Sequence, residues 1–325
     1  RRNRSMKEFS NVFDERGEHR ICSDSAEPEK QRMQFNVYFL GIGGIGMSAL
    51  ARYFLHEGRR VAGYDRVRSH LTDQIEAEGA VVHYEEDPAQ IPVDFRDPAT
   101  TIVVYTPAVP ADHAELRWFR QNGFEIVKRS QMLGYLSQGK FVIAVAGTHG
   151  KTTVTSMITQ ILILNKMDPT AVIGGKLPLI NSNGISGKSE TMVCESCEFV
   201  DTFLQLSPDI AVLLNIDNDH LDYFKTMENM TLSFHKFLAM AKKAYINGDD
   251  SRVKTAARDI TAEKITFGFG EDNFYRAENT ESRKYGFAFD VIRDGKKIIN
   301  IDMHIPGRHN VLNGLAAFAV CYDMG

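Results

Sequence analysis

Apolar positions begin abruptly at Phe35. FNVYFL (residues 35–40) is a short, nearly continuous apolar run, and RVAGYD (60–65), VVHY (81–84), TTIVVYTPAVP (100–110) and FEIVKRS (124–130) repeat the pattern. Between them lie stretches of helical character: the one ending near HEGRR, with Gly58 as a C-cap, LTDQIEAEGA (71–80) and HAELRWFRQNG (113–123). Strands alternating with helices predict βαβ units around a parallel sheet. A second series opens with KFVIAVAG (140–147) and the helix TTVTSMITQILILN (152–165). ETMVC, DIAVLLNI, KKAYINGDD and KITFGFG then read as strands, and NVLNGLAAFAVCYD as an apolar helix. DVIRDGKKIINIDMHIPG has hairpin character with Asp294-Gly295 at its turn.

The predicted fold is therefore α/β: a Rossmann-like N-terminal domain over residues 35–137, then a P-loop-type α/β ATPase domain over 138–325. Residues 1–34, from RRNRSMKEFS through SDSAEPEKQR, lack apolar periodicity and read as a weakly ordered extension. At 325 residues the chain is long for one core, which agrees with two domains. A formal net charge of -4 argues against a nucleic-acid binder. No apolar run is long enough to span a bilayer, and no apolar segment follows the N-terminal arginines as a secretory signal requires, so a cytoplasmic protein is expected. Of four cysteines, Cys194 and Cys197 form a CxxC. The second ligand pair a zinc site needs is missing, so the pair reads as reduced thiols at the end of a buried strand.

Two glycine loops carry the candidate chemistry. GIGGIGMS (41–48) sets Gly41, Gly43 and Gly46 in GxGxxG spacing directly after a strand and before a helix. Backbone amides at such a helix start can meet a pyrophosphate, and Asp65, near the end of the next strand, stands where dinucleotide folds place a ribose-binding acid. Alone, this loop suggests an NAD enzyme, or glycines that merely serve a tight turn. GTHGKTT (147–153) follows a second strand and opens a second helix. Lys151 supplies a cation for β- and γ-phosphates, Thr152 a Mg²⁺ ligand, and the amides of His149 to Thr153 a cradle. Val145 stands where the usual P-loop has glycine, so the loop is a variant. A dehydrogenase has no use for a P-loop lysine. Two such loops suit an enzyme that binds a nucleotide-linked substrate in one domain and ATP in the next.

ESCE places Glu195 and Glu198 after one strand, and DNDHLD places Asp217, Asp219, His220 and Asp222 after another. Ligands of open α/β sheets collect beyond the carboxyl ends of the strands, so both clusters should share a rim with Lys151. Carboxylates beside a P-loop are what Mg²⁺ needs; His220 reads either as a ligand or as a strand-end hydrogen-bonder.

FLGIGGIGMSALA, YTPAVP, KRSQMLG, VAGTHGKTT, CESCEFVDTFL, NIDNDHLDYF and PGRHNVLNGLAA, in this order and spacing, resemble the Mur ligases, from about Val37 to the last residue. The Rossmann-like glycine loop points to the L-alanine-adding branch. The resemblance overrules the NAD reading. It implies that Gly41, Gly43, Gly44, Gly46, Met47 and Ser48, with Asp65, hold the UDP part of UDP-N-acetylmuramate. It implies that Gly147, Thr148, His149, Gly150, Lys151, Thr152 and Thr153 bind the phosphates of ATP, with Asn310 and Asn313 near the adenine. Thr152 and Glu195 are then ligands of a first Mg²⁺, and His220 with Glu195 of a second; Lys151, Glu195 and His220 are the catalytic residues. The implied reaction joins L-alanine to the lactyl carboxylate through an acyl phosphate, by a monomer or homodimer. Relatives often read EADE where this chain reads ESCE, which makes the CxxC incidental. The family's third domain, which brings the amino acid, is expected to be absent, leaving a chain that binds the UDP-sugar but turns over poorly. A folate-polyglutamate ligase lacks the first glycine loop, and a ligase attaching a recycled peptide to the same sugar is the nearest alternative. A binding protein without turnover is disfavoured by Lys151, Glu195 and His220.

Overall fold

The structure is a computed structural model and describes residues 35–196, 203–218 and 224–325. The tail expected at 1–34 and the residues Cys197, Glu198, Asp219, His220 and Asp222 lie outside the described residues. The chain forms two compact units. The first runs to Gln138 and takes in Ser182–Ser186; the second comprises Gly139–Asn181 and Gly187–Gly325.

The first unit carries strands β1 (Asn36–Leu40), β2 (Val61–Tyr64), β3 (Val81–His83), β4 (Thr101–Tyr105) and β5 (Glu125–Lys128), in the order β3-β2-β1-β4-β5. All pairings are parallel, which is the Rossmann order up to its fifth strand. β1 can sit at the centre because Val37 to Leu40 are all fully buried, as a strand covered on both faces requires. Helices α1 (Ile45–His56), α2 (His70–Ala77), α3 (Ala114–Gln121) and α4 (Arg129–Ser137) connect the strands. The α3 side chains Leu116 and Phe119 pack on Tyr38, Val103 and Phe124 on one face of the sheet.

In the second unit β6 (Phe141–Ala146) leads into α5 (Lys151–Leu164), followed by β7 (Thr170–Leu177). The short strand β8 (Ser182–Ile185) falls within the segment that belongs to the first unit. Then come β9 (Thr191–Glu195), β10 (Ile210–Leu213), α6 (Met227–Ala239), β11 (Lys243–Asn247), α7 (Ser251–Ala256), β12 (Glu263–Gly268), β13 (Tyr275–Arg283), β14 (Gly286–Arg293), β15 (Lys296–Met303) and α8 (His309–Asp323). The sheet of this unit runs β15-β14-β13-β12-β11-β10-β6-β9-β7. It is parallel from β7 to the β12–β13 pair and antiparallel at β13-β14-β15. The β14–β15 hairpin turns at Asp294 (φ 48°) and Gly295 (φ 74°), two successive left-handed residues of the kind that match strand twist. α5 and α8 share one core with β6 and β10 through Val154, Ile158, Val311 and Leu315.

Six elements were not anticipated. FEIVKRS was read as strand throughout, but the chain turns helical at Arg129, where the Gln131 side chain accepts the Lys128 amide at 2.8 Å. β7, β8, α6, α7 and β13 were not read at all. Among the described residues no helix is long and apolar enough to cross a membrane.

Candidate functional site

In the first unit, β1 ends in the glycine loop. Gly41 takes φ 85°, and its amide and that of Ile42 both donate to Tyr64 O. The Gly43 amide donates to Asp65 Oδ2 at 2.7 Å, and the Gly44 amide to Gly41 O. Asp65 Oδ1 accepts from the Val67 amide just beyond β2, so one carboxylate oxygen holds the glycine loop and the other its own turn. Of the residues expected to face a ligand, Met47 is 2 % exposed, and Ser48 is fully buried with its hydroxyl donating to Ile45 O. Their side chains belong to the packing beneath the loop. What stays available is the first turn of α1, whose amides lack intrahelical partners. A cation stands beside it: a methyl group on Gly46 would lie 2.8 Å from Arg129 Nη1. Among the described residues the Arg129 guanidinium has no hydrogen-bond or ion-pair partner. Arg129 was not singled out from the sequence, although KRSQMLG contains it.

In the second unit the loop of residues 147–153 follows β6. Gly147 (φ 135°) and Gly150 (φ 88°) adopt backbone that side chains resist, and Gly150 caps α5. Asn215, just past β10, grips the loop: its Oδ1 accepts the His149 amide at 2.8 Å and its Nδ2 donates to His149 O at 2.9 Å. The Thr148 amide donates to Asn215 O, and Thr148 Oγ1 accepts the Asp217 amide at 2.8 Å. The His149 amide is therefore committed to Asn215, and the cradle begins at Gly150. Asn215 was missed as a site residue because only the acids of NIDND were weighed. Asp217 is held below the usual carboxylate range by the Asn218 amide and by Arg252, 3.4 Å away, so it serves that ion pair.

Lys151 folds back, donating from Nζ to Gly147 O and Thr148 O. Thr152 is exposed, and Thr153 half-buried. Glu195 ends β9, beside β6 in the sheet. Two successive glycines of β7 leave room for Glu195 and for Thr152, one beside each. A methyl on Gly174 would stand 1.8 Å from Glu195 Oε2, and one on Gly175 would stand 2.8 Å from Thr152 Cγ2. A hydroxyl and a carboxylate are hard oxygen donors of the kind Mg²⁺ takes, and a Cβ on Gly174 would fill the space of the Glu195 carboxylate. Among the described residues no three His, Cys, Asp or Glu side chains converge as a metal site. Asn313 Oδ1 would meet a methyl on Gly150 at 2.6 Å, and Asn313 Nδ2 donates to Asn310 Oδ1. Asn310 Nδ2 donates in turn to Pro306 O at 2.6 Å, so this pair ties the start of α8 to the phosphate loop. Cys194 is fully buried, and burial pushes its thiol up to about 12, as an unreactive strand cysteine requires.

Comparison with known proteins follows the same division. Residues 145–321 match the Mur ligase middle domain, and residues 36–141 match a model described as the Mur ligase family catalytic domain. The UDP-N-acetylmuramate–L-alanine ligase of Clostridium acetobutylicum is 39% identical over 296 residues, which cover 89% of this chain and 63% of that protein. Among solved structures, a UDP-N-acetylmuramate:L-alanyl-γ-D-glutamyl-meso-diaminopimelate ligase from Neisseria meningitides superposes with a TM-score of 0.80 at 25% identity, covering 90% of this chain and 94% of that one. The UDP-N-acetylmuramate–alanine ligase of Thermotoga maritima superposes at 0.78 and 26% identity, covering 89% and 65%. The chain thus spans less than two thirds of the length of the curated relatives it matches.

Proposed function

The chain belongs to the Mur ligase family, and from that premise we propose that it serves the ATP-dependent joining of L-alanine to the lactyl carboxylate of UDP-N-acetylmuramate. The observation that carries the reading is the pairing of two different phosphate loops. One has a lone arginine at its helix start, and the other has a P-loop lysine, followed by Thr152 at the first turn of α5, with Glu195 at the end of the neighbouring strand β9. The relatives near 40% identity that bear the L-alanine ligase name support the choice of amino acid.

A carboxylate is a poor acyl donor because oxide does not leave. Transfer of the γ-phosphoryl of ATP to the lactyl carboxylate makes a mixed anhydride, which the amine of L-alanine attacks to release phosphate. In this reading the first-turn amides of α1 and Arg129 hold the diphosphate of the UDP-sugar. The amides from Gly150 onward cradle the ATP phosphates, and Lys151 swings from its loop carbonyls to the γ-phosphate, spreading the charge that develops there. Thr152 and Glu195 would hold Mg²⁺, with His220 proposed beside them; when bound, the ion neutralises phosphate charge. Asn215 keeps the loop in register so that these donors converge.

A ligase for a preformed peptide would use the same two loops, and the Neisseria structure favours keeping it as a second reading. Product formation with L-alanine or with the tripeptide separates the two. The founding test is calorimetric titration with UDP-N-acetylmuramate and, separately, with NAD. Saturable UDP-sugar binding is expected, weakened roughly 10- to 100-fold in Arg129→Met, since one charge-assisted bond contributes about 1.5–3 kcal/mol. Saturable NAD binding with no response to the UDP-sugar would overturn the proposal.

A further inference from the structure

The segment Ser182–Ser186 belongs to the first unit, although more than forty residues separate it from the rest of that unit in sequence. It lies along α1 so closely that a methyl on Gly184 would fall 2.4 Å from Ala49 O. Asn183, 1 % exposed, spends its whole amide on this helix. Its Nδ2 donates to Ile45 O at 2.7 Å and to Ser48 Oγ at 2.8 Å, and its Oδ1 accepts from Arg52. Arg52, itself 1 % exposed, also donates to Glu78 at 2.9 Å and to Gln74 at 3.0 Å. At the far end of α1, Ser186 Oγ donates to Glu57 Oε1 at 2.6 Å. The segment therefore holds α1 at both ends, and at the first turn it does so through one side chain.

We propose that Asn183 is a positioning residue for the glycine loop: it fixes the first turn of α1 so that its free amides and Arg129 stand ready for a diphosphate. This rests on the reading that the loop holds the UDP-sugar. The physical reason is that Ile45 O and Ser48 Oγ belong to the same turn as the ligand-facing amides. A donor anchored in a separate segment stops that turn from fraying or sliding. Truncation would also leave part of the buried Arg52 guanidinium unsatisfied and remove one of the hydrogen bonds of Ile45 O and of Ser48 Oγ, which keep only their bond to each other among those named. A pattern search along residues 35–137 cannot see this residue.

Asn183→Asp is the informative variant. It keeps an acceptor for Arg52, and so the fold, while removing the N–H donor to Ile45 O. Calorimetry should show its UDP-N-acetylmuramate Kd raised at least tenfold with the ATP Kd within twofold of wild type. Amide hydrogen exchange at residues 45–48 should be faster. Ser48→Ala, which removes one of the two acceptors of the Asn183 amide, should give an intermediate loss. Unchanged UDP-sugar affinity and unchanged exchange at 45–48 in folded Asn183→Asp would overturn the inference. So would equal losses for UDP-sugar and ATP, which mark general destabilisation. A wild-type chain that binds no UDP-sugar would instead overturn the reading beneath it, while the exchange rates would still report on the clamp.

Discussion

Replacing Glu115 by glutamine should stabilise the first unit above neutral pH and leave it unchanged in acid. Glu115 is fully buried at the start of α3. The Tyr38 hydroxyl, also fully buried, lies 2.6 Å from Glu115 Oε2 and 2.6 Å from His83 Nε2. One hydroxyl has one proton to give. His83 Nδ1 lies 3.0 Å from Glu85 O, a carbonyl that only accepts, so Nδ1 carries a proton and a neutral ring presents Nε2 as an acceptor. Tyr38 then donates to His83, and a protonated Glu115 can donate to the Tyr38 oxygen. The neutral chain of three avoids a buried charge, and Glu115 Oε1 is left without a hydrogen-bond partner among the described residues. Burial above all, opposed by the Tyr38 hydrogen bond and assisted by the charge of Glu86, pushes Glu115 up to about 7. Burial also pushes His83 down. A carboxyl whose folded pKa is raised contributes stability fully below its unfolded value near 4.5, and that stability is lost as pH rises through 7. The shift of roughly 2.5 units corresponds to about 3 kcal/mol at full development. His83 acts in the opposite direction, on falling pH, and is common to both proteins. Urea unfolding followed by Trp118, the one tryptophan and a neighbour of Glu115 on α3, reads this unit directly. The gain of Glu115→Gln over wild type should be near zero at pH 4.5 and approach 3 kcal/mol at pH 8. A gain that is the same at both pH values would refute the protonated-acid reasoning.

Two further substitutions probe the second unit. Asn215→Ala removes two side-chain hydrogen bonds to His149, about 2 kcal/mol together, so the ATP Kd should rise roughly 30-fold with UDP-sugar binding intact; titration with each ligand checks this, and an unchanged ATP Kd would show that the loop needs no such grip. Gly174→Ala puts a methyl where Glu195 Oε2 stands and must displace that carboxylate. The tightening of ATP binding by Mg²⁺ should largely disappear, and an ATP titration with and without the ion that shows it intact would count against Glu195 as a ligand.

Much of the frame was legible because local and global signals agree. The apolar runs of β1, β4, β6 and β10 are too long and too uniform to be anything but buried parallel strands, and Asp294-Gly295 announces its hairpin. α6 was legible and went unread: Thr226 caps it by accepting the Asn229 amide, and Met230, Phe234 and Phe237 repeat at helical spacing. α4 was hidden, because Glu125 to Lys128 is strand and nothing apolar marks the change at Arg129. β13 buries only alternate residues along its first half and reads as polar loop. At the candidate site, the sequence offered the residues inside motifs and not those that hold the loops in place. Asn215 lies 66 positions from the loop amide it holds, and Asn183 lies 138 from the carbonyl it anchors. No periodicity reports a contact made across such separations.

The two glycine loops show why a loop motif does not by itself select a ligand. In the first, the amides of Gly41, Ile42, Gly43 and Gly44 are all consumed, two by Tyr64 O, one by Asp65 and one by Gly41 O. A phosphate approaching it meets a carboxylate behind the loop and must rely on the first helical turn and on Arg129 for its positive field. In the second, Asn215 takes the outer amide at His149, and the turn from Gly150 opens beside Lys151 with no carboxylate of the described residues on its amides. The first arrangement suits a diphosphate held as part of a larger molecule, where sugar and base contribute the rest of the affinity. The second suits a terminal phosphoryl group that must be gripped and then released. The GxGxxG spacing is common to a dinucleotide fold and to this first unit. That spacing encodes neither the Asp65 side chain turned inward on Gly43 nor the arginine that another helix brings to Gly46.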